Sequence, residues 1–174
     1  MSGYYNLEAD SHTALVGGWL HTGDLGVVDS DGFLTITGRK KDLIVTSGGK
    51  NISPGPIEDR LRESPWIGEA VVFGDRRPYL VALLSVNRRA LTARQADTGK
   101  GNLEEAEVRA LLRSEVDRVN HELAPHERIR SFGLLDEPPS IEAGTLTPTL
   151  KVRRSALEAQ CAEKIAALYE SRRR

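Results

Sequence analysis

The fold is decided by a nearly continuous apolar run near the middle of the chain, Tyr79-Leu80-Val81-Ala82-Leu83-Leu84-Ser85-Val86. A run of this length without polar alternation is typical of a strand that is buried on both faces of a sheet. Residues 69–73 predict a second strand just before it, and the segment 74–78 between the two is turn-like. Residues 129–135 predict a third strand. We therefore expect residues 79–86 to lie at the centre of a small sheet.

Several segments with helical spacing of apolar residues lie around these strands. In order along the chain, the predicted helices are residues 55–64, a short helix followed by a loop within 87–102, residues 103–123 and residues 152–169. Ser53 is in position to cap the first of them, and Pro54 and Pro56 suit its first turn. The last helix is expected to bury Leu157, Cys161, Ile165 and Leu168. The sequence thus predicts an α+β fold, a small mixed sheet with flanking helices.

Two β-hairpins joined by a charged segment precede this sheet. Residues 26–37 contain two β-rich runs around Asp29-Ser30-Asp31-Gly32, in which Gly32 can adopt a positive φ. The charged segment is Gly38-Arg39-Lys40-Lys41-Asp42, and the second hairpin follows it at residues 43–53. The first 23 or so residues are polar and glycine-rich, and they predict an irregular surface segment.

Composition excludes several classes of protein. The 24 Lys and Arg residues nearly balance the 25 Asp and Glu residues, which argues against a nucleic-acid-binding protein. A single cysteine allows no intramolecular disulfide, and the four histidines lack the spacing of metal ligands. No apolar run has the length of a membrane span, and the N-terminus lacks a signal-peptide core. These features predict a cytoplasmic protein.

Two segments offer polar groups that suit a nucleotide. Asp24 lies among glycines just before a strand, and its two carboxylate oxygens match the adjacent hydroxyls of a ribose. Arg39 provides a fixed fork of donors for hydroxyl or phosphate oxygens. A turn aspartate that bonds its own backbone is the plainer interpretation of Asp24, and a solvated linker arginine is the plainer interpretation of Arg39. Taken alone, neither segment identifies a site.

Two further segments could also face a ligand. Gly48 and Gly49 permit close approach of the backbone, although any tight hairpin turn also favours glycine. Lys151 ends the loop before the last helix, where its compact charge could stabilise a developing anion. A surface lysine is the plainer interpretation. However, a cation is unfavourable at the start of a helix, which slightly favours a functional role for Lys151.

The order of four motifs is more specific than any of them alone. They are Gly3-Tyr4-Tyr5-Asn6, Trp19-Leu20-His21-Thr22-Gly23-Asp24-Leu25, Gly38-Arg39-Lys40-Lys41-Asp42-Leu43-Ile44 and Leu146-Thr147-Pro148-Thr149-Leu150-Lys151. Together they resemble the late motifs of the adenylate-forming superfamily of acyl-CoA synthetases, peptide-synthetase adenylation domains and luciferases. The resemblance covers essentially the whole chain. Many relatives have lysine at the position of Val45 and glycine at that of Leu150, and these departures favour the long-chain fatty acyl-CoA synthetase branch.

The resemblance implies a role for each candidate residue. Asp24 would bind the ribose hydroxyls of ATP and of the acyl-adenylate, with Arg39 assisting. Lys41 matches the hinge about which the C-terminal domain swings between two half-reactions. Lys151 matches the lysine that contacts the carboxylate and the α-phosphate during adenylation, and the Gly48–Gly49 turn matches the hairpin that lines the pantetheine tunnel.

The resemblance also implies a domain division and an activity. Residues 1–40 would be the tail of a large N-terminal AMP-binding domain, with the ribose-binding motif and a β-hairpin. Residues 41–174 would be the mobile C-terminal domain, with its hinge at Lys41. The whole enzyme would be an acid–thiol ligase, a long-chain fatty acid–CoA ligase that forms an acyl-adenylate and then a thioester. It would use ATP, Mg²⁺ and CoA, none of which is expected to bind tightly to this fragment.

The phosphate loop and acyl pocket of the superfamily lie upstream of these motifs. We therefore expect this chain to be a fragment, or a stand-alone remnant, of a much longer enzyme and to be inactive alone. The expected partners are the missing N-terminal domain, a fatty acid and CoA, with no nucleic acid; peripheral membrane association of the full enzyme stays open. The alternatives are a fatty acyl-AMP ligase that delivers to a carrier protein and a non-catalytic regulatory or binding remnant.

Overall fold

The computed structural model describes residues 1–98 and 104–170. The chain divides into two compact units, Met1–Leu43 and Ile44–Arg174. No helix within the described ranges is long and apolar enough to cross a membrane. The division falls two residues after Lys41, whose role as a hinge stays a prediction.

The first unit contains a short helix and two hairpins. Its elements are α1 (Glu8–Ala14), β1 (Leu15–Val16), β2 (Trp19–Leu20), β3 (Asp24–Val28), β4 (Leu34–Arg39) and a 3-10 turn (Lys40–Asp42). The prediction that the first 23 residues are irregular is wrong. The Ser11 hydroxyl accepts a bond of 2.8 Å from the Tyr4 N–H and donates one of 2.7 Å to the Leu7 carbonyl, which fixes the start of α1. A seven-residue helix is too short to produce a recognisable period in the sequence.

The hairpin predicted within residues 26–37 is confirmed as the antiparallel pair β3 and β4. Asp29 Oδ1 accepts bonds from the Asp31 and Phe33 N–H groups at 3.0 and 2.9 Å, and Gly32 has a φ of 86°. The turn is therefore held by an aspartate and a glycine, as the sequence predicts. No residue of this first unit is buried.

The second unit contains the sheet. Its described elements are β5 (Ile44–Val45), β6 (Asn51–Ile52), α2 (Pro54–Arg62), β7 (Ile67–Phe73), β8 (Leu80–Val86), α3 (Arg88–Thr98), α4 (Glu105–Glu122), β9 (Ile129–Leu134), α5 (Arg154–Gln160) and α6 (Ala162–Glu170). β8 pairs with β7 antiparallel and with β9 parallel, so the predicted mixed sheet with a central β8 is confirmed. Part of the loop predicted within residues 87–102 lies outside the described residues.

The core occupies both faces of this sheet. Along β8, Leu80, Ala82 and Leu84 contribute to a cluster that includes residues of α2 and α4. The alternate residues Val81 and Leu83 contribute to a second cluster with residues of α5 and α6. Successive side chains of a strand point to opposite faces, so a strand covered by helices on both sides must be apolar throughout.

Two details of the predicted helices are wrong. Ser53 occupies the position before α2 but its side chain makes no capping hydrogen bond; the helix opens instead on Pro54, which has no N–H to satisfy. The predicted last helix is interrupted at Cys161, whose φ and ψ are −107° and 19°. No glycine or proline marks this break in the sequence. Cys161 is consequently half-buried at the edge of the core rather than within it.

Candidate functional site

Asp24 and Arg39 lie opposite each other on β3 and β4 and form an ion pair. Arg39 Nε lies 3.0 Å from Asp24 Oδ1. The pair uses one carboxylate oxygen, and the side chains of Asp24 and Arg39 keep 29% and 51% of their surface exposed. The structure therefore brings together the two residues that the sequence assigns to a ribose.

A β-bulge sets this pairing. Gly26 pairs with Ile36, whereas Leu25 pairs with Gly38, so β4 carries one extra residue between them. If the ladder continued regularly from the Gly26–Ile36 pair, Thr37 would lie opposite Leu25 and Gly38 opposite Asp24. A bulge commonly redirects a side chain in this way, and here it places Arg39 opposite the carboxylate.

Local backbone bonds hold Asp24 at the start of β3. Its N–H donates to Thr22 Oγ1 at 3.1 Å, and the Gly23 carbonyl accepts a bond of 2.8 Å from the Lys40 N–H. Gly23 has a φ of 74°, which favours glycine. An open groove of this unit is lined by residues that include Asp24, Lys40 and Lys41. The groove thus has two carboxylates, those of Asp10 and Asp24, and two ammonium groups along its wall.

Lys41 lies in the 3-10 turn of residues Lys40–Asp42 and is exposed. Across the described residues, its ammonium makes no hydrogen bond or ion pair. The turn is closed by a bond of 3.4 Å from the Leu43 N–H to the Lys40 carbonyl. Neither fact requires a lysine at this position for folding.

The Gly48–Gly49 turn joins β5 to β6, and its two glycines differ. Gly49 has a φ of 72°, and its N–H donates to the Thr46 carbonyl at 2.9 Å, so the turn itself requires glycine there. Gly48 is not in the left-handed region, and a Cβ at Gly48 would meet only Thr46 Oγ1, at 3.9 Å. Folding therefore explains Gly49 but leaves the backbone of Gly48 open to a close approach from outside.

Lys151 lies beside the tip of a short turn in the second unit. The Thr147 N–H donates to the Lys151 carbonyl at 2.8 Å, and the Lys151 N–H donates to Thr147 Oγ1 at 3.0 Å. One step further out, the Arg153 N–H donates to the Thr145 carbonyl at 2.8 Å. Lys151 is exposed, and its ammonium has no hydrogen bond or ion pair to any described residue. The backbone of this lysine is fixed while its charge is available.

Within the described part of the second unit, no hydrogen bond or ion pair joins the Gly48–Gly49 turn to Lys151. Sequence analysis also gave no role to Glu58 and Arg154, which lie 96 residues apart and are joined by bonds of 2.7 and 3.0 Å. One signal was available in the sequence: Glu58 follows Ile57 on a short amphipathic helix, and a glutamate there needs a partner if it is buried.

No cluster of three or more metal-ligating side chains is found among the residues that the structure describes. Burial raises the pKa of the Cys161 thiol, an effect that the nearby Lys164 ammonium partly opposes. A raised pKa lowers the thiolate fraction, so Cys161 is a poor candidate for a nucleophile. Asp24, Arg39 and Lys151 stay the candidate residues that the sequence predicts.

Comparison with known proteins identifies relatives that match nearly the whole chain. Residues 41–173 match the model of the AMP-binding enzyme C-terminal domain family. The chain is 41% identical to the long-chain-fatty-acid–CoA ligase FadD15 of Mycobacterium tuberculosis, covering 97% of this chain and 29% of that protein. It is 34% identical to the long-chain-fatty-acid–CoA ligase ACSBG1 of Rattus norvegicus, covering 98% of this chain and 27% of that protein.

A solved structure gives the same result for the fold. The adenylation domain of a carboxylate reductase from Mycobacterium chelonae superposes with a TM-score of 0.81 at 25% identity, covering 97% of this chain and 26% of that one. This chain therefore spans less than a third of the length of the curated relatives that it matches.

Proposed function

Because the chain belongs to the family of AMP-binding enzyme C-terminal domains, we propose that it is the C-terminal part of a long-chain fatty acid–CoA ligase. In this proposal, Lys151 serves the adenylation step, and residues 1–40 belong to the AMP-binding domain. The observation that carries the proposal is the Lys151 turn, in which a fixed backbone presents an ammonium that has no partner among the described residues.

Adenylation joins a carboxylate to the α-phosphorus of ATP. A carboxylate oxygen forms the new P–O bond, and the bond to the pyrophosphate leaving group breaks. Negative charge collects on the α-phosphoryl oxygens in the transition state, where a fixed cation stabilises it more than it stabilises the substrates. Lys151 would supply that cation, and its turn would remove the cost of orienting it.

Ribose recognition would fall to Asp24 and Arg39. An ionised carboxylate has two acceptor oxygens for two neighbouring hydroxyls, and the ion pair with Arg39 leaves one of them outside the pair. The guanidinium retains further N–H donors for an oxygen of the nucleotide. The bulge in β4 would therefore act on binding by holding these two groups together.

Thioester formation needs a different face of the same domain. The thiolate of CoA would attack the acyl carbonyl carbon, and AMP would leave with the electron pair of the broken C–O bond. Rotation about Lys41 would exchange the Lys151 turn for the Gly48–Gly49 turn, so that one site serves both reactions. The open backbone at Gly48 suits a narrow pantetheine arm.

The chain supplies binding groups for only some of the cofactors. Asp24 and Arg39 suit a nucleotide and the Gly48 backbone suits pantetheine, whereas the described residues offer no carboxylate cluster for Mg²⁺. Mg²⁺ neutralises phosphate charge in such reactions. We assign its binding to the AMP-binding domain and derive no step through it here.

The decisive experiment uses a chimera in which this chain replaces the matching segment of its 41%-identical mycobacterial relative. We expect the chimera to convert ATP and palmitate to the acyl-adenylate and then to palmitoyl-CoA. Lys151→Ala should lower acyl-adenylate formation by about a hundredfold or more. Thioester formation from supplied acyl-adenylate should fall far less.

The matched control is Arg130→Ala, which removes an exposed cation from β9 and should leave both steps unchanged. Equal losses in both steps on Lys151→Ala would refute the assignment of Lys151, and a chimera without adenylation would refute the proposed function.

A second variant tests the hinge. Lys41→Pro fixes φ at that residue and should lower thioester formation while sparing adenylation, the reverse of Lys151→Ala. Lys41→Ala leaves φ free and is the control. Unchanged thioester formation by Lys41→Pro would count against the hinge.

The acyl acceptor is measured in the same chimera. Palmitoyl transfer to CoA supports the ligase proposal, whereas transfer to a phosphopantetheinyl carrier protein with none to CoA would assign the chain to an acyl-AMP ligase.

A further inference from the structure

The Lys151 turn is attached to the rest of its unit by an ion pair that begins three residues later. Arg154, the first residue of α5, donates from Nη1 and Nη2 to the two carboxylate oxygens of Glu58 on α2, at 2.7 and 3.0 Å. Glu58 is only 7% exposed. The Arg154 side chain keeps 29% of its surface exposed, so the contact is a bidentate ion pair that is buried on its Glu58 side.

The same two side chains bond both backbone groups of one residue in β7. The Val72 N–H donates to Glu58 Oε1 at 2.7 Å, and the Val72 carbonyl accepts a bond of 2.6 Å from Arg154 Nη1. β7 is an edge strand, since it pairs only with β8 in the described sheet. The ion pair thus satisfies edge-strand groups that would otherwise need water or another strand. It ties α5 to α2 and to the sheet at one point.

A buried ion pair is a poor source of stability, because the cost of desolvating both charges offsets their attraction. Its geometry, in contrast, is strongly defined: the guanidinium plane must meet two carboxylate oxygens and one carbonyl together. A contact of this kind defines the orientation of the attached segment, whereas apolar packing is not directional. Lys151 lies three residues before Arg154 in the chain.

The segment between Lys151 and Arg154, which anchors the turn through Glu58, is short and is held by a backbone hydrogen bond. Three residues span at most about 11 Å. The hydrogen bond from the Arg153 N–H to the Thr145 carbonyl further restricts the conformations of this segment. The other arm of the turn is fixed at Thr145, which is 2% exposed and whose Oγ1 accepts a bond of 2.9 Å from the Ser140 N–H. The turn therefore has two attachments, and Arg154 provides the one that continues into the sheet.

We propose that Arg154 and Glu58 are positioning residues, which hold the Lys151 turn on the sheet in the orientation that adenylation requires. The functional part of this inference rests on the proposed function, whereas the structural part does not. Neither residue contacts a substrate in this scheme, and both act only through Lys151.

The structural part is tested on the chain alone by amide hydrogen exchange. Arg154→Lys replaces the planar fork, whose two nitrogens meet both carboxylate oxygens and the Val72 carbonyl, with one nitrogen that lacks this fixed geometry, so the N–H groups of Thr147, Lys151 and Arg153 should exchange about tenfold faster. The N–H groups of β8 should keep their wild-type rates. Arg153→Lys is the matched control, because Arg153 is exposed and reaches only the Gly144 carbonyl, at 3.4 Å.

A second variant removes the risk that an unpaired buried charge unfolds the chain. Glu58→Gln combined with Arg154→Met leaves no charge, keeps an acceptor for the Val72 N–H and removes the tie to α5. We expect it to show the same faster exchange in the turn. Unchanged exchange in the turn, or equal acceleration in the turn and β8, would overturn the inference.

The functional part is tested by kinetics in the chimera. Arg154→Lys should lower kcat for acyl-adenylate formation about ten- to a hundredfold, because small displacements of a catalytic group have effects of that size. The KM for ATP should stay within about twofold, since uniform binding is not affected. In a Lys151→Ala background, Arg154→Lys should cause no further loss, because residues that act through one another are not additive.

Each outcome separates the two proposals. Equal losses from Arg154→Lys with and without Lys151 would refute positioning while leaving the proposed function intact. A Lys151→Ala chimera with full adenylation would refute the role proposed for Lys151, and the exchange rates alone would then decide whether Arg154 and Glu58 hold the turn; a chimera without adenylation would refute the proposed function.

Discussion

The two compact units hold their candidate residues on very different scaffolds. In Met1–Leu43 no residue is buried, and large apolar side chains such as Tyr5, Trp19 and Phe33 are exposed. In Ile44–Arg174 two apolar clusters cover both faces of a three-stranded sheet. Yet each unit presents a defined polar group, Asp24 with Arg39 in one and Lys151 in the other.

The difference lies in what fixes these groups. Asp24 and Arg39 are held by a bulge, a glycine turn and bonds between near neighbours in the chain. The Lys151 turn adds to its own bonds an anchor in the core, through Arg154. Local hydrogen bonds can thus hold two side chains opposite each other on a hairpin. In our proposal, the orientation of a lysine beside the tip of a loop depends in addition on a buried attachment.

The largest effect should come from the core. Leu84→Ala in β8 removes a side chain that is 0% exposed and should lower the free energy of unfolding by about 2–5 kcal/mol. Leu34→Ala in β4 removes the same atoms from a site that is 64% exposed and should change it by less than about 0.5 kcal/mol. Urea denaturation of both variants measures the difference. Similar losses would show that the two scaffolds are not distinct.

A smaller effect is expected at Tyr169, on the second face of the sheet. Its hydroxyl donates to the Phe73 and Tyr79 carbonyls at 3.4 and 3.2 Å, so Tyr169→Phe should lower the free energy of unfolding by about 1 kcal/mol at neutral pH. Tyr5→Phe is the control, because Tyr5 is exposed. An equal effect of the two substitutions would contradict this prediction.

The stability difference at Tyr169 should depend on pH. Burial raises the pKa of the Tyr169 phenol, an effect that the Arg77 guanidinium partly opposes. The neutral form is then favoured in the folded state, so its contribution is complete below the ordinary pKa of about 10 and is lost as the pH rises above that value. Wild type should therefore lose its advantage over Tyr169→Phe above about pH 10. Denaturation between pH 8 and 11 tests this sign.

Leu150 allows a stabilising substitution beside Lys151. Its φ is 60°, in the left-handed region, which costs a non-glycine residue about 1–2 kcal/mol. Leu150→Gly removes this strain but frees the unfolded chain, so we expect a net gain of about 0.5–1 kcal/mol. Ile141→Gly, in the neighbouring exposed loop, should give no gain. A loss of stability on Leu150→Gly would show that the leucine side chain is needed where it lies.

The sequence predicted the parts of this fold that local chemistry determines. The central position of β8 followed from an apolar run without alternation, and the β3–β4 hairpin followed from Asp29 and Gly32. The 3-10 turn at Lys40–Asp42 and the opposition of Asp24 and Arg39 did not follow. The latter depends on a bulge, whose signals are Gly26 in β3 and Gly38 in β4, and these glycines do not determine the register.

The features that the sequence did not predict have a common cause: they depend on contacts between residues that lie far apart in the chain. The break at Cys161 carries no glycine or proline, and the Glu58–Arg154 pair joins residues 96 positions apart. Periodicity within a segment contains no information on such contacts. Lys151 was identified from its motif, but the anchor that would orient it was visible only in the structure.

The smallest effect on stability should occur at Asp24. From the comparison of the two units, we expect this residue to contribute to nucleotide binding and little to the stability of the fold. Asp24→Asn weakens an ion pair whose two side chains are both in contact with solvent, so the free energy of unfolding should fall by at most about 0.5 kcal/mol. AMP binding by the chimera should weaken about tenfold or more, because asparagine replaces one acceptor oxygen with a donor. Asp31→Asn, in the adjacent hairpin turn, controls for charge and should leave binding unchanged. Calorimetry and urea denaturation of the same samples measure both quantities, and a large loss of stability with unchanged AMP binding would assign Asp24 to the fold rather than to the nucleotide.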